Sequence, residues 1–251
     1  MKGTIYLASL HAKFQLLEAF RIPISIVMSL ISPTIGLLFF VLPQQSAGAL
    51  PEIITKSVIA LVIFGIMANS LFHFAVEISQ ARERPWGSYT RSLPIGQGSI
   101  LLSYLFSSGV LSLISIIPLL LMAILLTDAN MQLTNLIIGV LLVIVTSIPF
   151  MLLGILIGYL SVPKAAVAIV QVVMLILAFG GGLFLSPDSF NTLLNNLSFL
   201  LPTRSSLELV TWGSGINTEF PLKAFLGWMF WTVLLLVTIT LRIKKEVDRE
   251  Y

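Results

Sequence analysis

Residues 22–42 read IPISIVMSLISPTIGLLFFVL and residues 57–76 read SVIALVIFGIMANSLFHFAV, and neither stretch contains Asp, Glu, Lys or Arg. About 20 apolar residues, rising 1.5 Å each, carry a helix across the roughly 30 Å of hydrocarbon in a bilayer. No water reaches backbone N–H and C=O groups there, so a crossing segment must bond to itself as a helix or close into a barrel. Barrel strands need about ten residues of alternating polarity, and these runs do not alternate. The pattern predicts an all-α integral membrane protein.

Further runs at about 97–126, 135–160, 165–185 and 222–241 bring the predicted crossings to six, which puts both termini on one side. The third is long enough to tilt or to add a cytoplasmic turn, with Pro118 as a point of bending. Hydrophobic residues make up 57% of the chain and charged residues 10%, against about 25% charged in soluble domains. Most Lys and Arg lie in the N-terminal segment, the 78–96 loop, Lys164 and the C-terminal tail, with only Lys56, Arg204 and Lys223 on the opposite side. Basic loops stay inside, which predicts cytoplasmic termini in a plasma-membrane protein. The first apolar run is followed by others without a small-residue cleavage site, so no removable signal peptide is expected. The absence of cysteine excludes disulfides, thiolate metal sites and cysteine nucleophiles.

Two segments are neither crossings nor short loops. In residues 1–21, Thr4, His11, Gln15 and Glu18 share a helical stripe, which predicts an interfacial helix on the inner leaflet. In residues 186–221, Ser186 is placed to cap a helix with Pro187 in its first turn. Phe190, Leu193, Leu194 and Leu197 follow at helical spacing until Pro202 ends it. Ser205 with Glu208 fits a capping box for a second short helix. Gly180, Gly181 and Gly182 weaken the helix just before this region and let another backbone approach. Together these predict re-entrant outer helices between crossings five and six.

Catalytic signatures are missing. There is no Gly-Lys pair, hence no phosphate-cradling GxxxxGK[ST] loop, and no HExxH or GxSxG motif. Neither a metal, a bound cofactor nor nucleic acid is expected on this chain. Asn69, His73 and Glu77, four apart, form the one polar stripe within a crossing. Such groups can relay protons, although hydrogen bonding between helices near the cytoplasmic end is the plainer reading. Trp212 and Trp228 read as interfacial anchors.

The loop ARERPWGSYTRSLPIG at 81–96 concentrates charge in a chain that has little. Arg82, Glu83, Arg84, Trp86, Arg91 and Pro94, between crossings two and three, resemble the Glu-Arg-Glu-x-Gly and Leu-Arg-x-x-Pro pattern of ABC-2 type transporter permeases. The six-crossing order and GGLFLSPDSF…LSFLLPTRSSLELV before the last crossing are similar to that family as well. The resemblance implies an export permease that forms a homodimer, or a heterodimer with a similar permease, and docks on a separate ABC ATP-binding subunit carrying ATP and Mg. It further implies that residues 78–96 form a coupling helix, in which Arg82, Glu83, Arg84, Gly87 and Arg91 contact the ATPase while Trp86 and Pro94 shape the element. Pro85 departs from the family pattern. The cargo implied is an amphiphile such as a drug, antibiotic, peptide or lipid, with multidrug or antibiotic resistance as the corresponding role.

A polysaccharide-type ABC-2 exporter is a weaker match, because the positions that carry its motifs read RIPISIVM and SVPKAA here. Two other classes stay open: a proton-coupled or facilitative carrier using His73 and Glu77, and a membrane interaction protein without flux.

Overall fold

A computed structural model describes residues 34–83, 97–127, 132–185 and 187–247, with four positions between 10 and 17. Among the described residues there are helices and turns but no strands. A π-turn at Leu37–Val41 leads into α1 (Leu42–Ser46). Then come α2 (Pro51–Glu83), α3 (Gln97–Leu126), α4 (Leu133–Thr146), α5 (Ile148–Leu160) and α6 (Pro163–Gly180). A 3₁₀ turn at Pro187–Ser189 precedes the short helices α7 (Thr192–Ser198) and α8 (Pro202–Gly213), and α9 is Leu222–Val247. Four stretches are long and apolar enough to cross a membrane: α2, α4 with α5, α6, and α9 over Leu222–Arg242. Within α3, a described apolar stretch covers Ile116–Leu126. The first expected crossing lies outside the described residues up to position 33. Most of the expected interfacial helix lies outside them too, although Leu10, Phe14 and Leu17 are helical, spaced as one face, and exposed.

The π-turn has a local cause. Proline at position 43 has no N–H, and its ring crowds the carbonyl four residues back. The Leu42 N–H bonds Leu37 O instead of the carbonyl one residue nearer, a widened turn that relieves the crowding.

Helix α2 is the centre of the bundle: 72% of its apolar stretch is buried, against 22% for α6 and 17% for α9. It packs on α5, α6, α3 and α8. Its closest partner is α5, and Gly154 and Gly158 explain why. A Cβ at Gly154 would sit 3.0 Å from the Ser70 carbonyl oxygen, and one at Gly158 would sit 3.0 Å from that of Ala75 and 2.8 Å from Ile78 Cβ. Without side chains there the two backbones meet, which in a lipid environment maximises dispersion contact between helices. Phe74, Ile78, Met151, Leu152, Ile155, Leu235 and Ile239 then fill a core shared by α2, α5 and α9.

The expected fourth crossing, 135–160, divides at Ser147 because Pro149 cannot donate into the helix. The hydroxyls of Thr146 and Ser147 donate to the Val143 and Ile144 carbonyls at 3.2 and 2.7 Å. Ser206 of α8 donates to Thr146 O at 3.4 Å. Buried backbone at the break thereby keeps hydrogen-bond partners.

The fifth crossing stops at Gly180 rather than near 185. Gly182 stands at φ 83°, its N–H faces Phe179 O at 3.4 Å, and Leu183 N–H bonds Ala178 O at 3.0 Å. That is a Schellman stop, which needs a left-handed residue and hence glycine. Phe184 then folds back, with its ring 4.9, 5.3 and 5.6 Å from those of Phe64, Phe179 and Phe40.

The region before α9 also departs from expectation. Ser186 lies outside the described residues, and the helix cap is Asn191, whose Oδ1 accepts from Leu194 N–H at 2.8 Å. Pro202 does not merely end α7. It opens α8 at a first-turn position after the extended Leu201, where its fixed φ suits a helix start and its missing N–H is harmless. The predicted capping box at Ser205 and Glu208 is absent, because the helix starts three residues earlier and Glu208 turns to Arg204. Helix α8 runs antiparallel to α4: Ser206 meets Thr146, while Gly215 beyond its end lies against Asn135. It therefore starts alongside the middle of the α4–α5 stretch.

Candidate functional site

The 78–96 loop begins on α2. Arg82, in the last turn, sends Nη1 to the carbonyls of Tyr159 at 2.6 Å and Gly158 at 3.3 Å, with its guanidinium 5.7 Å from the centre of the Tyr159 ring. Carbonyls in the final turn of a helix have no intrahelical donor and carry the negative end of its dipole. A cation from α2 supplies both donor and charge, so the root of the loop is fastened to the end of α5. Glu83, the last residue of α2, is exposed. Arg84, Trp86, Gly87, Arg91 and Pro94 lie outside the described residues.

Of the polar stripe on α2, the structure brings two members together. His73 Nε2 and Glu77 Oε2 are 3.0 Å apart, both side chains about three-quarters buried. The contact is close but off the hydrogen-bond direction, so neither atom completes a hydrogen bond. The imidazole also meets the Phe74 ring edge-on at 4.9 Å. Asn69 is half-buried one turn away. Among the described residues no third metal-ligating side chain joins the pair.

The glycines before the short helices position α8. Gly181 is buried and faces Thr203, whose hydroxyl donates to Leu177 O at 2.8 Å. Gly180 faces Leu201, and Gly182 faces the Pro187 ring. Pro202 is buried with Thr203, Ser205 and Ser206 around it. Buried hydroxyls need a local acceptor, and those of Ser206 and Thr211 find theirs in the Pro202 and Leu207 carbonyls at 3.0 and 2.8 Å. Trp231 of α9 closes the far side by donating to Leu200 O at 2.8 Å.

Sequence reasoning missed two features. The Gly154 and Gly158 pair was legible as two glycines four apart in an apolar helix. Arg204, counted as an outer-loop charge, is instead 9% exposed within α8 and bonded to Glu208 at 2.8 Å. Their spacing of four within a leucine-rich segment was the available signal.

Comparison with known proteins fits this arrangement. The family model for the ABC-2 type transporter matches residues 7–214, from the N-terminal segment through α8. A curated relative, "Putative transport permease YvfS" of Bacillus subtilis (strain 168), is 23% identical over 159 residues, covering 62% of this chain. The aligned region spans 65% of that relative's length, just under two thirds. The bundle of apolar helices and the extent of the family match lead to one conclusion: the chain is a multi-pass membrane protein that belongs to the ABC-2 type transporter family.

Proposed function

We infer that the chain is the permease subunit of an ATP-driven exporter, in which a separate ABC ATP-binding subunit supplies the hydrolysis. Membership of the ABC-2 type family over residues 7–214 carries this reading. The molecule then has six crossings with cytoplasmic termini, an interfacial helix at 1–21, and α7 and α8 as a re-entrant pair at the outer face. It works as a homodimer or as a heterodimer with a similar permease. The Arg82 bonds to α5 support the mechanical part: a push on residues 82–94 is delivered to α2 and α5 together, because the Gly154 and Gly158 contact and the Arg82 bonds make them one unit. ATP-driven closure of the partner would bias the bundle from an inward-facing to an outward-facing arrangement, a shift between two states with different affinity for the partner. No residue of this chain enters the hydrolysis. ATP and Mg sit on the partner, and the cargo class is an amphiphile, which suits a bundle whose described crossings carry few charges.

The test is reconstitution with the ATP-binding partner. The chain alone should hydrolyse no ATP, and reversing the charges of Glu83 and Arg84 should remove cargo-stimulated hydrolysis while the complex keeps its elution profile. Unchanged stimulation in that variant would refute the coupling role.

The His73 and Glu77 contact favours one second reading, a proton-linked carrier. It requires flux into vesicles without ATP that is lost in His73→Ala.

A further inference from the structure

Each buried arginine donor needs an acceptor, because an unmatched one forfeits its bonds to water without replacement. Arg204, in the first turn of α8, is 9% exposed. Its Nε and Nη2 both donate to Glu208 Oε1 at 2.8 Å, and the guanidinium carbon stands 4.8 Å from the centre of the Phe199 ring. Nη1 is buried and has no acceptor.

A second cation converges on the same ring. Lys223 Nζ lies 6.0 Å from the centre of Phe199, is exposed at the start of α9, and has no ion pair among the described residues. Two cations thus flank one aromatic ring, Arg204 paired with Glu208 and Lys223 without an ion pair among the described residues. The N-terminal end of α8 opens there as well, adding the positive end of its dipole. Helix α9 comes close because Gly227 has no side chain: a Cβ there would be 2.6 Å from Ser205 Oγ. Trp228, the next residue, holds another buried donor, Nε1, without an acceptor.

What is missing is an anionic acceptor, and the neighbouring surface says what carries it. Leu193, Leu194, Leu197 and Leu200, leading up to this turn, are 74, 51, 58 and 66% exposed. A leucine surface beside a cationic turn matches an acyl chain beside its phosphate.

We propose that the N-terminal turn of α8, with Arg204 and Lys223, binds the phosphate of an anionic amphiphile whose chains lie along α7. Arg204 Nη1 gains its acceptor and Lys223 its counter-ion. The inference needs only the membrane setting of these helices and is independent of ATP coupling.

The test uses the full chain in nanodiscs of equal phosphatidylglycerol and phosphatidylcholine, with retained lipid identified by native mass spectrometry after extraction. One positive side chain near an anionic lipid contributes about 1 kcal/mol, an enrichment of about fivefold. Phosphatidylglycerol should be retained about fivefold over phosphatidylcholine, and this preference should vanish in Lys223→Gln, an exposed change that leaves folding intact. The double variant Arg204→Gln, Glu208→Gln, which removes both buried charges together, should lose it as well. In phosphatidylcholine nanodiscs, inorganic phosphate that raises the melting temperature of the native chain but not of Lys223→Gln would identify a free anion as the occupant of the same site. Equal retention of the two lipids together with no response to phosphate, or a preference that survives both variants, would overturn the proposal.

Discussion

Single residues decide how tightly this bundle closes. At Gly158 a leucine would have to displace Ile78 and the Ala75 carbonyl, both within 3.0 Å of where its Cβ must go. Overpacking of this kind costs about 1–3 kcal/mol. Gly158→Leu should therefore lower the melting temperature in detergent, followed by tryptophan fluorescence, and Gly154→Leu should behave alike; an unchanged melt in both would mean that α2 and α5 do not meet there. Arg82 acts beside Gly158, at the same end of that contact. Replacing it by alanine orphans the Tyr159 and Gly158 carbonyls and should cost about 1–3 kcal/mol, with Arg82→Lys losing less because it keeps a cation at the helix end. Equal melts for alanine and lysine would show that the charge contributes nothing.

Elements show where the sequence could be read and where it could not. The helix expected over about 97–126 was legible to the residue, since α3 runs over Gln97–Leu126. Crossings four and five were legible in place but not in detail, because their interruptions depend on tertiary partners. At the Ser147 break, which Pro149 causes, the Thr146 carbonyl is met by Ser206 of α8, and Gly182 ends α6 because Leu183 and Phe184 have a core to fold into. The polar residues of α8 were misread for the same reason: an arginine between two apolar helices looks like loop charge until α4 and α9 are packed around it.

The short helices test this directly. Asn191→Ala removes one cap, worth about 1 kcal/mol, from an exposed helix. Hydrogen exchange should rise across Thr192–Ser198 with no change in the global melt. Gly182→Ala places a Cβ in a left-handed conformation against the Pro187 ring, at a cost of about 1–2 kcal/mol. Exchange should then rise at the end of α6 and through α7. Protection unchanged in either variant would contradict the corresponding cap.

At the scale of the molecule, one buried helix is fastened at its C-terminal end to a second, and the charged 78–96 segment continues from that junction. A permease driven from outside needs such a rigid unit, since force applied to a loose loop would be lost in local unfolding. A proton-driven carrier would instead need its titratable pair, His73 and Glu77, to govern flux. Vesicles separate the two. The chain is reconstituted with its ATP-binding partner, and uptake of an amphiphilic dye into inside-out vesicles is followed with ATP, without ATP, and with a proton gradient alone. Uptake only with ATP, abolished when the charges of Glu83 and Arg84 are reversed and retained in His73→Ala, is the predicted result. Uptake driven by the proton gradient in the absence of ATP, and lost in His73→Ala, would contradict it.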